Sequence, residues 1–289
     1  MEKVEELRGA TYIMKNIAVL GPKGTFSDCA SIVYKQKQQI DMNQVYYKSI
    51  DETVYAASKE CDLAIIPVEN TLDGYVQRSL DLLLEMNLHI IYELYIPVQF
   101  SLVANSNNLN DIKRLYVQFK TKGQCTKVIN KLKDERIIIT ESNIESLNMI
   151  KNGNEGDAAI IPSHMFIKDE YSFGIDNVTD SENNHTRFLV VETAKSNNKF
   201  ELNKSIKISL YILEANDKPG MLFNILKQFA EKNINIVSII SRPTKKSMGK
   251  YNFFIELAAK IEEKALIIET IDKINEEFNV KILGIYSKI

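Results

Sequence analysis

Within Asn184-His185-Thr186-Arg187-Phe188-Leu189-Val190 a hydroxyl and a guanidinium stand side by side at the mouth of an apolar strand. A buried sheet has no use for that pair, whereas a site for an anionic substrate does: the hydroxyl can donate a hydrogen bond and the guanidinium can clamp a carboxylate. Two other polar runs share the setting. Gly21-Pro22-Lys23-Gly24-Thr25-Phe26-Ser27 follows Ile17-Ala18-Val19-Leu20, and Pro67-Val68-Glu69-Asn70-Thr71 follows Leu63-Ala64-Ile65-Ile66. Polar runs at strand ends gather along one edge of an α/β sheet, so the three describe one assembled site. Thr25 and Ser27 fall where strand gives way to helix and read as helix caps or as anion ligands. The readings are compatible, because a helix N-terminus presents backbone N–H groups to an anion. Arg187 reads equally as a carboxylate clamp or as an ion pair behind the site. Asn70 and Thr71 are candidate hydrogen-bond partners of substrate. Glu69 is an orienting acid or a turn residue, since a bare carboxylate repels an anionic ligand.

The elements that must position these residues follow from periodicity. From Ile17 to about Val191 short apolar strands alternate with amphipathic helices, the pattern of βα units around largely parallel sheets. Phe26, Cys29, Ala30, Val33 and Tyr34 form one helical stripe, and Val76, Leu80, Leu83 and Leu84 another. A polar stretch, Ala194 to Lys199, marks a boundary, after which Ile206, Ile208, Leu210 and Ile212 alternate with polar residues as in a half-buried strand. Pro219-Gly220 then opens a helix with Leu222, Ile225, Leu226 and Phe229 on one face. Strands at Ile234 to Ser241 and Tyr251 to Leu257, a helix around Ile267 to Ile274 and a strand from Val280 to Tyr286 complete a βαββαβ order, which is ferredoxin-like α+β.

Composition narrows the partners. At 289 residues, with 45% apolar and 26% charged, the chain has room for two domains with proper cores. With 36 basic and 38 acidic residues the net charge is −2, which leaves no basic excess for phosphate neutralisation, so nucleic acid is not an expected partner. Cys29, Cys61 and Cys125 lie far apart without a C-x-x-C, and His89, His164 and His185 show no ligand spacing. Neither a disulfide framework nor a metal is expected. The charged N-terminal stretch lacks an apolar signal core and no apolar run approaches a membrane span, which reads as a cytoplasmic chain without membrane contact.

The three polar runs, in this order, resemble those of the prephenate dehydratase family. The resemblance extends from about Asn16 to the end: the Gly-Pro-x-Gly-Thr-Phe-Ser opening, the Pro-x-Glu-Asn-Thr-x-x-Gly run from Pro67 to Gly74, the Asn-x-Thr-Arg-Phe run, and a C-terminal ACT regulatory domain. It implies an α/β fold with a two-lobed, periplasmic-binding-protein-like catalytic domain over 16–193. Its first lobe would hold about 16–95 and 169–193, its second about 96–168, and the ACT domain would hold 204–289. The chain would cross between lobes near Ile96 and again near Pro162 to Lys168. The implied activity is the decarboxylating dehydration of prephenate to phenylpyruvate, without cofactor or metal, with L-phenylalanine as allosteric effector. Arogenate dehydration and a non-catalytic amino-acid sensor are the alternatives.

By the same resemblance Thr186 is the catalytic hydroxyl. Thr25, Ser27, Asn70, Thr71, Arg187 and Phe188 would bind substrate. In the ACT domain, Gly220-Met221-Leu222 and Ser241-Arg242-Pro243 match effector-contacting runs, and Asn216 and Asp217 would meet the effector's amino group. ACT domains pair across two-fold axes, which implies a homodimer or homotetramer. The chain departs from the family where a Ser-His-Pro-Gln-Ala run would precede Gln124-Cys125. Here the positions read Val117-Gln118-Phe119-Lys120-Thr121, and no second-lobe residue is assigned a role. Ile240 also stands where the family carries an acid.

Overall fold

A computed structural model describes residues 15–132, 136–193, 201–215, 219–246 and 248–289. The chain opens with β1 (Lys15–Leu20), α1 (Phe26–Gln38), β2 (Met42–Tyr47), α2 (Ile50–Ala57), β3 (Leu63–Asn70), β4 (Gly74–Tyr75), α3 (Gln77–Glu85) and β5 (Leu88–Pro97). Ser and Thr oxygens start the helices: Thr25 Oγ1 accepts from the Asp28 amide and Ser49 Oγ from that of Glu52, meeting donors that a first turn leaves without partners. A second lobe follows with β6 (Phe100–Ala104), β7 (Arg114–Gln118), α4 (Phe119–Gln124), α5 (Thr126–Ile129), β8 (Ile137–Thr140), α6 (Asn143–Lys151), β9 (Asp157–Pro162) and β10 (Phe173–Ile175). Its five strands run in the order β10-β6-β9-β7-β8 around a core that includes Phe100, Leu102, Leu115, Val117, Cys125 and Ile160.

The chain returns as β11 (His185–Thr193), antiparallel between β3 and β5, which makes the first-lobe sheet mixed where βα alternation predicts mostly parallel pairing. The return also comes later than expected. Residues 169–175 would already belong to the first lobe by the sequence reading, yet β10 pairs with β6, and Phe173 and Ile175 pack on the second-lobe core. The crossing therefore falls between Ile175 and His185. A three-residue apolar strand is too short to announce which sheet it joins.

The C-terminal unit is β12 (Ser205–Ala215), α7 (Met221–Glu231), β13 (Asn235–Pro243), β14 (Tyr251–Lys260), α8 (Lys264–Glu277) and β15 (Asn279–Lys288), with strand order β13-β14-β12-β15. This is the βαββαβ arrangement, its helices covering one sheet face through Ile225, Phe229, Ile267 and Ile271. The other face packs on the first lobe: Tyr211, Phe254, Leu283 and Tyr286 share a core with Ala64, Ile66, Leu80 and Leu83. β15 then pairs parallel with β5, joining both units into one sheet. Gly284 permits the crossing, since a Cβ there would lie 2.3 Å from the Ile90 carbonyl oxygen. Lys281 Nζ donates to the carbonyls of Leu83, Leu84 and Met86 at 2.6–2.9 Å, satisfying acceptors that the end of α3 leaves open.

Candidate active site

A cavity of about 400 Å³ separates the lobes. The first lobe lines it with Gly24, Thr25, Phe26, Pro67, Asn70, Asp73 and Thr186, the second with Phe100, Gln118, Lys120, Thr121, Gln124, Ser142 and Asn143, among others. All three polar runs thus reach one cleft, each delivered by a strand end: β1 leads into Gly24–Phe26, β3 ends at Asn70, and β11 begins beside it. The register pairs Thr186 with Asn70 on one side and with Ile96 on the other.

Asn70 organises the floor. Its Nδ2 donates to Thr186 Oγ1 at 3.0 Å, to Asn184 Oδ1 at 3.0 Å and to the His185 carbonyl at 3.2 Å. Its Oδ1 accepts from the amides of Leu72 and Asp73, fixing the turn after β3. Because Asn70 occupies an acceptor site on the Thr186 oxygen, the Thr186 hydrogen is left to donate into the cleft. Asn184, fully buried, donates in turn to Gln124 Oε1 at 3.1 Å and so ties the floor to the second lobe. Along the rim His164 Nε2 donates to the Gly24 carbonyl at 3.1 Å, and Phe26 meets the rings of Phe100 and His164 edge-on. Burial pushes the His164 imidazole below its ordinary 6.5, outweighing the upward pull of that hydrogen bond, so the ring is neutral at pH 7. Gly24 (φ +90°) brings the lobes together, for a Cβ there would sit 2.8 Å from Met165 Sδ.

The remaining sequence candidates are placed elsewhere. Thr71 Oγ1 donates to the His185 carbonyl and lines a separate pocket of about 300 Å³ with Glu69, Tyr95 and His185. Ser27 is buried in the first turn of α1. Phe188 is 1% exposed in the core with Ile17, Val19, Ile65 and Leu94. Arg187 corrects the clamp reading in favour of the ion pair. Successive strand residues face opposite sides, so with Thr186 toward the cleft Arg187 points behind the sheet. There it is 3% exposed, with Nη2 2.7 Å from Glu256 of β14, Nη1 3.4 Å from Glu93 and Nε 3.3 Å from Glu69. Glu256 also accepts from Ser209, Tyr286 and Tyr75. Burial would raise its carboxyl, but the charge and hydrogen bond of Arg187 hold it below its ordinary value.

The second-lobe half of the cleft was assigned nothing from sequence. Most of its polar residues come from the starts of α4 and α6, with Gln124 from the end of α4 and Phe100 from β6. The signal that marks the α6 group is the Ser142 cap with Glu145 three residues on. In α4 the Gln118 side chain accepts from the amides of Lys120 and Thr121. In the C-terminal unit Gly220 caps α7, Ser241 and Pro243 are exposed on β13, and Met221 and Leu222 are half-buried. Arg242 Nε instead donates to Asp81 of α3 at 2.8 Å, and Lys245 joins the same carboxylate at 3.1 Å. Asn216 and Asp217 lie outside the described residues.

A cleft between two α/β lobes, the first continuous with a βαββαβ sheet, is the architecture of a two-lobed small-molecule-binding fold carrying an ACT-type unit. A sequence model of the prephenate dehydratase family matches residues 17–196, and one of the ACT domain matches 209–267. The prephenate dehydratase of Methanocaldococcus jannaschii is 30% identical over 269 residues, spanning 92% of this chain and 95% of that protein. Among solved structures, the prephenate dehydratase of Staphylococcus aureus superposes with a TM-score of 0.72 at 27% identity, over 94% of this chain and 99% of the other. The Arthrobacter aurescens prephenate dehydratase in complex with L-Phe shares the fold, with a TM-score of 0.76 at 24% identity over 95% and 90% of the two chains. The chain belongs to the prephenate dehydratase family.

Proposed function

We propose that the cleft converts prephenate to phenylpyruvate. As the ring carboxylate leaves as carbon dioxide, its electron pair enters the ring, a new ring double bond forms, and the ring hydroxyl departs with its bonding pair. The reaction needs the dianion held, the ring oriented and the departing oxygen stabilised. The single observation that carries the reading is the Asn70–Thr186 hydrogen bond at the cleft floor, which leaves the Thr186 hydrogen directed to a developing hydroxide. Threonine is a weak acid, and it assists because the leaving oxygen is already gaining charge. Phe26, Val76, Val98 and Phe100 supply the apolar wall for the ring. The first turns of α1 and α6 supply N–H groups that an α-helix leaves without intrahelical acceptors.

The ACT-type unit is the seat of feedback by L-phenylalanine, as the L-Phe complex of the Arthrobacter relative supports. Gly220, Met221, Leu222, Ser241 and Pro243 would form its site, whereas Arg242 serves the contact with α3. The open edge of β13, with Val237 and Ile239 exposed, favours pairing with a second copy and hence a homodimer or homotetramer. No helix among the described residues is long and apolar enough to cross a membrane.

The test is turnover of fresh prephenate at neutral pH, followed as phenylpyruvate, for wild type and Thr186→Ala, with and without L-phenylalanine. Wild type turns over and is inhibited by the amino acid, while the variant loses about 10²–10³-fold in kcat with its fold intact. A folded wild type that leaves prephenate untouched but dehydrates arogenate would transfer the assignment to that substrate.

A further inference from the structure

We propose that Lys120 is the side-chain ligand of a substrate carboxylate, and that its ion pair with Asp73 is the empty-site arrangement which substrate displaces. The inference rests on the prephenate reading and concerns how that dianion is held. Lys120 extends from α4 of the second lobe, and its Nζ lies 3.2 Å from Asp73 Oδ2 on the first-lobe turn after β3. The pair bridges the mouth of the cavity. Both side chains are well exposed, at 69% and 50%, so water screens the contact and the ammonium can exchange partners readily.

The charge balance of the cleft singles this residue out. Among the described residues lining the cavity Lys120 is the one cation, while Asp73 and Glu141 are acids. Without it the charged side chains of the lining would be Asp73 and Glu141 alone, the wrong sign for a substrate with two carboxylates. Arg187, next to Thr186 in the chain, is turned behind the sheet and committed to Glu256, Glu93 and Glu69. The Lys120 amide is already used by Gln118, so only its ammonium is free to change partners. This charge also falls in the stretch where the chain departs from the Ser-His-Pro-Gln-Ala run. A compact, flexible ammonium can follow substrate inward and draw the second lobe over it.

Steady-state kinetics on prephenate, at low and high ionic strength, test the assignment with wild type, Lys120→Gln, Lys120→Arg and Asp73→Asn. In Lys120→Gln KM rises about tenfold or more while kcat stays within about threefold, the pattern of lost ground-state binding. Lys120→Arg retains most of the affinity. Asp73→Asn lowers KM, because it removes both the competitor for the ammonium and a charge that repels substrate. Salt raises the wild-type KM and affects Lys120→Gln less. An unchanged KM in Lys120→Gln, or a fall in kcat at constant KM, overturns the proposal while leaving the dehydratase reading intact. A folded wild type without prephenate turnover overturns both. Unaltered melting temperatures in the exposed-site variants confirm that the differences arise at the cleft.

Discussion

Thr186 and Arg187 are neighbours in sequence and strangers in space. Strand alternation sends one into the cleft and the other into a buried cluster of acids, so the guanidinium is committed to ion pairs while the hydroxyl is the one proposed to act on substrate. Parity alone puts the two on opposite faces; which face meets the cleft follows from the pairing of β11 between β3 and β5. Asn70 is the residue on which the hydroxyl's direction depends. Asn70→Ala removes the donor that occupies the Thr186 oxygen, and kcat falls by about 10²-fold with a smaller change in KM. Asn70→Asp falls at least as far, because a carboxylate accepts the Thr186 hydrogen and turns it from the cleft. If Asn70→Asp retained wild-type kcat in a prephenate assay, the proposed direction of that hydrogen bond would be wrong.

At the scale of elements, β11 carries the Thr186 hydroxyl, proposed to be catalytic, on one face and ties to the βαββαβ sheet by the other. Arg187 on β11 reaches Glu256 on β14, and Glu93 on β5 receives Lys207 from β12. Arg187, Glu256 and Glu93 are buried, so their mutual attraction must offset a large loss of hydration. Arg187→Met leaves Glu256 and Glu93 without that counter-charge and destabilises the protein by about 3–5 kcal/mol, read from denaturant unfolding. Arg187→Met combined with Glu256→Leu recovers part of the loss, since the uncompensated carboxylate is gone. Equal destabilisation by the double and single variants would show that packing, and not charge, dominates the contact. The strand's polar mouth and the unbroken apolar run Phe188 to Val191 were legible in the sequence. Its position between β3 and β5 was not, because pairing partners are fixed by contacts distant in the chain.

Over the whole molecule, two carboxylates at the junction of the units contribute to its acid tolerance. Glu256 is raised by burial and lowered further by Arg187; Asp81 is raised by burial and lowered further by Arg242 and Lys245. Both end below their ordinary values of 4.5 and 3.8. A carboxyl whose folded value is depressed contributes stability that is complete above its unfolded value and is lost as pH falls through the folded one. The melting temperature is therefore insensitive to these groups above about pH 5 and declines as acid passes below 4.5. Circular dichroism melts across that range check it, and Glu256→Gln flattens the acid decline; an unchanged decline would assign it to other carboxylates. The sequence by itself determined the local patterns: βα alternation, the βαββαβ order, the Thr25 cap, and three polar runs whose order resembles one family. These are set by neighbouring residues and by hydrophobic period, which a linear reading captures. Only the tertiary structure decided that β10 stays with the second lobe, that β15 fuses the two units into one sheet, that Arg187 lies behind the site and that Lys120 faces Asp73 across it. Each of those depends on groups brought together over long separations, where packing and the cost of burying charge choose among arrangements that local sequence leaves equal.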